Sequence, residues 1–180
     1  MMAILGSSNL IREELYSTGQ PSAQTSTSTT WTTFNINGTG YTGPRASSST
    51  NVLQFEKQSS NSYIIFSASF PGYITPGSSG NGVRCQWSLD NSTYYIDALA
   101  DGPNHRWGLM GYGGNAARIT KLMWDSRQFD LQHGTNTTAH TGNWYVYFQR
   151  ANWTTDTTYW ITYADANKKY GTISIREYLA

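Results

Sequence analysis

The chain has 180 residues, a formal net charge of +1 and 13% charged residues, about half the usual share of roughly 25%. That length suits one domain and is tight for two. The single Cys excludes an internal disulfide framework and a Cys-based zinc site, the balanced charge argues against a protein built to grip phosphates, and no apolar run approaches the roughly 18 residues of a membrane-spanning helix.

Residues 1–30 differ from the rest. Met1 to Gly6 lacks a basic n-region and a sustained apolar stretch, so no secretory signal is expected. The run from Asn9 to Tyr16 reads as two helical turns with Leu10, Ile11 and Leu15 on one side, too short to stand alone in water. Ser17 to Thr30 is a Ser/Thr/Gln linker by composition. One reading is a floppy tail. The other is an arm that orders against a partner, with Leu10, Ile11, Leu15 and Tyr16 as its docking residues.

From residue 31 the pattern is strand after strand. Trp31 to Ile36 is ended by the turn pair Asn37-Gly38, and Asn51 to Glu56 follows. Tyr63 to Phe70 is apolar at nearly every position and reads as central, stopping at Pro71-Gly72. Val83 to Leu89 alternates, with Val83, Cys85, Trp87 and Leu89 inward and Arg84, Gln86 and Ser88 outward. Asp90-Asn91-Ser92 is a turn, and Thr93 to Leu99 the returning strand. Residues 101–117 form a bulky loop. Arg118 to Trp124 and Gln128 to Leu131 read as shorter strands, and no helix is expected after residue 30. Asn143 to Arg150 is a second core strand with Trp144, Val146 and Phe148 on one face. Thr158 to Tyr163 and Thr172 to Tyr178 complete a set of eight to ten strands. The fold class is therefore all-β, an antiparallel β-sandwich of jelly-roll type over residues 31–180, led by the short arm 1–30.

Chemistry-bearing constellations are sparse. Cys85 falls on the apolar side of its strand and reads as a small buried hydrophobe, not a nucleophile. His133 and His140 flank a loop and, with Asp130, offer N/O donors, but their spacing matches no known metal pattern, so no metal or other cofactor is expected. At an oligomer axis either His would make a pH-sensitive contact. Asp90, Asp97 and Asp101 are the nearest approach to a hydrolase carboxylate pair, yet two of them fall at opposite ends of one strand. The Gly111-Tyr112-Gly113-Gly114 run lacks the following Lys of a phosphate loop. No catalytic residue emerges. Sequons at Asn37, Asn91, Asn136 and Asn152 fit chance in a Thr/Asn-rich chain. Trp107, Tyr112, Trp153 and Tyr159 lie in or beside loops. They either plug the ends of the sandwich and a subunit interface or face outward to a protein partner or a glycan.

Several of these stretches together resemble a known class. They are the Thr-rich lead into Trp31-Thr32-Thr33-Phe34, the Ala46 to Thr50 stretch, Tyr63 to Phe70, Trp144-Tyr145-Val146-Tyr147-Phe148, Tyr159 to Tyr163, and the ending Gly171-Thr172-Ile173-Ser174-Ile175-Arg176-Glu177-Tyr178. In that order they resemble small β-rich virion surface proteins of tailed bacteriophages, with a jelly roll similar to the C1q/tumour-necrosis-factor class. The resemblance covers about residues 31–180. It implies a non-enzymatic structural protein on the capsid or tail surface, homotrimeric and docked on other virion proteins such as the major capsid or a tail component. Capsid decoration is the first expectation. A tail-fibre or head-fibre receptor-binding tip, or a lectin-like module for a host surface glycan, is the alternative. Neither nucleic-acid binding nor membrane insertion is implied. The lead of about 30 residues holds no coiled-coil heptads or collagen-like repeat, which favours a short docked arm over a free-standing fibre. A Ser/Thr/Asn surface suits a particle exposed to changing salt, because it leans little on screened charge pairs.

Overall fold

The computed structural model describes residues 9–20, 24–26, 30–34, 39–41, 52–74, 81–96, 117–152, 158–160 and 171–180. Its strands are β1 (Leu10–Gln20), β2 (Gln24–Ser26), β3 (Thr32–Thr33), β4 (Thr39–Tyr41), β5 (Val52–Lys57), β6 (Ser62–Ile74), β7 (Asn81–Ser88), β8 (Tyr95–Ile96), β9 (Ala117–Asp125), β10 (Gly142–Asn152), β11 (Thr158–Trp160) and β12 (Thr172–Leu179). One helix, α1 (Ser126–His133), follows β9 directly. The described strands make an antiparallel all-β sandwich.

The larger sheet has the order β2-β11-β6-β12-β1-β4, with β9 on β6. The smaller has the order β3-β10-β7-β8, with β5 also on β10. Alternation of side chains decides what each sheet turns inward. Ile64, Phe66, Ala68 and Phe70 of β6, Trp124 of β9, and Ile173 and Ile175 of β12 face Leu53, Phe55, Trp87, Trp144, Val146 and Phe148 of the smaller sheet. Rings join the layers. Trp87 lies flat on Trp124 at 3.5 Å, Phe66 meets Trp87 edge-on at 5.2 Å, and Phe70 meets Phe148 at 5.5 Å. Cys85 is half-buried and packed against this cluster, as its alternation predicts.

Three expectations are corrected. Leu10 to Tyr16 is not helical: it is the first part of β1 and pairs with β12, Glu13 opposite Arg176 and Leu15 opposite Ser174. A register shift between Leu10 and Arg12 makes Ile11 an extra residue, which hides the alternation from the sequence. Gln128 to Leu131 is part of α1, not a strand. Asp125 caps its start, accepting from Arg127 N at 2.9 Å, and Gly134 ends it at φ 64, its N–H donating to Asp130 O. Finally, β6 does not stop at Pro71. Pro71 falls between two neighbours on one edge, since β12 reaches Ser69 and β11 begins at Gly72, and a missing N–H is least costly there.

Candidate functional site

The outer face of the larger sheet is a surface built from several described strands. Its cross-strand rows follow from the register. Leu15 of β1, Ser174 of β12, Ser67 of β6 and Met123 of β9 form one row. Leu15 is 68% exposed and Met123 70%, and the two serines between them are small and half-buried, so the row carries an exposed apolar residue at each end. Three strand spacings put those ends about 14 Å apart. The next row holds Glu13, Arg176, Ile65 and Asp125, with Arg176 Nε donating to Glu13 Oε1 at 2.7 Å. That carboxylate holds the Arg176 guanidinium above the usual arginine range. Beyond it Tyr63 and Tyr178 stack at 5.4 Å, and Arg127 covers the Tyr63 ring at 3.8 Å. Arg127 is fixed by Asp125, 2.7 Å away, which raises its pKa.

The expected docking residues divide on this strand. Ile11 and Leu15 are exposed, whereas Leu10 and Tyr16 are half-buried. Tyr16 packs against the core, and its hydroxyl donates to Glu14, which also pairs with Arg12. Arg12 reaches the other sheet, donating to Glu56 O at 3.0 Å. Trp107, Tyr112 and Trp153 lie outside the described residues. Tyr159 is in β11, paired in register with Thr25 and Tyr73, and its side chain also lies outside them.

Two buried charges, Lys57 and Glu177, are occupied. Lys57 is fully buried, and its ammonium donates to Ser59 O, to Thr138 O at 2.8 Å and to His140 O at 2.9 Å. Burial pushes its pKa down, opposed by the attraction of Glu177 and Asp130. Glu177, 2% exposed, accepts from Ser59 N at 2.9 Å, Ser62 Oγ at 2.6 Å and Gln58 N at 3.1 Å. Asp130 accepts from Thr135 Oγ1, Thr137 N and Thr137 Oγ1, all within 2.8 Å. It therefore closes the loop after α1 instead of serving His133 or His140. His133 packs between Phe129 and Tyr95, and His140 sits edge-on to Trp144. Among the described residues no group of three or more His, Cys, Asp or Glu is arranged to hold a metal ion. Asp90 Oδ1 takes Ser88 Oγ, Ser92 N and Thr93 N, which hold its pKa well below the usual carboxylate range.

No family model matches the chain, and no curated protein is significantly similar to it. The site therefore rests on its own geometry. Sequence reasoning passed over Lys57 and Glu177, although a signal was present. Each is the next same-side residue after two buried apolar ones, Leu53 and Phe55 in β5 and Ile173 and Ile175 in β12.

Proposed function

We propose that this protein is a non-enzymatic structural component of a bacteriophage virion, a jelly roll of the C1q/tumour-necrosis-factor type that assembles as a trimer. Its most economical role is capsid decoration, with β1 and the outer face of the larger sheet seated on a neighbouring virion protein. The observation that carries this is the Leu15–Met123 row, two large apolar side chains held out in solvent on a sheet whose own core is complete. Exposed apolar groups on one built face favour a protein partner. Support for a non-catalytic role comes from the carboxylates, since Asp90 and Asp130 each take three donors from residues close by in the chain and Glu177 takes three from the turn between β5 and β6.

Deleting residues 2–24 would strip β1 from β12, so surface substitution is the cleaner test. Leu15→Glu with Met123→Glu leaves core contacts intact and is expected to lower occupancy on purified particles at least tenfold, with an unchanged melting temperature. Particles that retain full occupancy of the double variant would overturn the docking reading. The stacked Tyr63–Tyr178 pair favours one alternative, a receptor-binding tip or lectin-like module, because flat rings beside Arg127 suit a glycan. Glycan-array binding abolished by Tyr178→Ala, with particle occupancy intact, would move the assignment there.

A further inference from the structure

The strongest unexplained feature is Arg150, near the end of β10. It continues the inward-facing series Trp144, Val146, Phe148, one step beyond the ring cluster of Phe34, Phe70 and Phe148. Its backbone is fixed: Arg150 pairs with Val83 of β7 and Thr32 of β3, and its carbonyl accepts from Thr32 Oγ1. Its guanidinium is not. Nε and Nη1 are buried without a hydrogen-bond partner. The contrast with other described arginines is sharp. Arg12 meets Glu14 and Glu56 O, Arg84 donates to Gln149 Oε1 and covers Trp31, Arg127 is held by Asp125, and Arg176 by Glu13. Burial lowers the Arg150 pKa, and among the described residues no carboxylate offsets that effect.

The large majority of buried side-chain polar atoms are hydrogen-bonded, and an orphaned charged donor is among the costlier defects a fold can carry. Two on one guanidinium, beside an apolar floor, mark a place for an acceptor that arrives from outside. A guanidinium presents planar donor edges that match two oxygens of one oxyanion, a fit that water or a halide does not reproduce. We propose that Arg150 is the anchor of an oxyanion-binding site at this end of the sandwich, taking a carboxylate or phosphate group. This inference is independent of the virion reading.

The test is thermal unfolding and titration calorimetry of the full chain with sodium phosphate, acetate and glucuronate, against sodium chloride at matched ionic strength. An anion at about 100 times its Kd should raise the melting temperature by about 5–11 °C. That rise should vanish in Arg150→Met, while the anion-free Arg150→Met protein melts no lower than the parent, because an unmet charge has been removed. Arg150→Lys keeps the charge without the planar fork and should bind about tenfold more weakly. It decides the matter if the Met variant does not fold. Response to acetate and glucuronate alone identifies a carboxylate ligand, and response to phosphate alone a phosphate. No response to any of the three at tens of millimolar, or equal responses in the parent and both variants, would overturn the site.

Discussion

Glu177 is the most exacting test of how the sandwich is held together. Replacing it with Ala removes the shared acceptor of Gln58 N, Ser59 N and Ser62 Oγ, three donors from the turn that joins β5 to β6. Each donor left without a partner costs about 1–3 kcal/mol. Gln58 is exposed, so water recovers part of its loss, and the sum is about 3–6 kcal/mol. For a domain of this size each kcal/mol moves the melting temperature by about 2–4 °C, so Glu177→Ala should fall by roughly 6–24 °C. Glu177→Gln keeps the shape and one acceptor oxygen. It should lose about 1.5–3 kcal/mol, because its amide turns a donor toward one of the three N–H and O–H groups. The described ion pairs are Arg12–Glu14, Arg127–Asp125 and Arg176–Glu13, so Lys57 and Glu177 act as near neighbours, not as a direct pair. A Lys57→Met/Glu177→Gln cycle should accordingly show coupling of about 1 kcal/mol or less. Calorimetric melts and urea midpoints at constant slope measure the parent and the four variants. Glu177→Ala melting within about 2 °C of the parent would refute the reasoning, since that is the effect of less than one orphaned donor.

Phe129 is buried where α1 meets Trp124, Trp144 and Tyr95, and Phe129→Ala should cost about 3–5 kcal/mol in a urea titration. A loss below 1 kcal/mol would mean that α1 is not part of the cooperative core. Asp90 has a folded pKa below its unfolded value of about 3.9. Its contribution is therefore complete above that unfolded value and fades as pH falls from about 4 toward the folded pKa. Asp90→Asn keeps the Oδ1 acceptor, so its stability deficit relative to the parent should shrink on acidification. A deficit constant from neutral pH to strong acid would contradict this.

The central strands were legible from their apolar content. Trp144, Val146 and Phe148 lie inward on β10 as their alternation predicts, and β6 is central, as its apolar run predicts, although which of its residues face inward was not marked by polarity. β1 was not legible, for two physical reasons. Its inward positions after the register shift hold Arg12, Glu14 and Tyr16, and its outward ones Glu13 and Leu15, so polarity no longer marks the face. Leu10, Ile11 and Leu15 then imitate a helical spacing. The opposite error arose at α1, where Asp125 and Gly134 are sound cap signals but a single buried Phe129 gives an eight-residue helix little periodicity. The charged interior had a common, readable form. Lys57, Glu177 and Arg150 each extend a run of alternating apolar residues by one more step. The sequence does not say which of the three meets its partners within the chain, because those partners come from turns and neighbouring strands far away.

The position of β12 between β6 and β1 has a consequence for the order of folding. Thr172 meets Ser69 across 103 residues of chain, and Arg176 meets Glu13 across 163. Until β12 arrives, β6 and β1 have no common neighbour, and the larger sheet is two separate pieces with open edges. Closure of loops that long is entropically slow, which places this chain among the slow, high-contact-order folders. A growing polypeptide would carry that β6 edge without β12 until the chain had grown by the 103 residues from Ser69 to Thr172. The Ser67 and Ser69 positions along that strand, small and polar, make the waiting edge a poorer template for a wrong neighbour than an all-aliphatic strand would be.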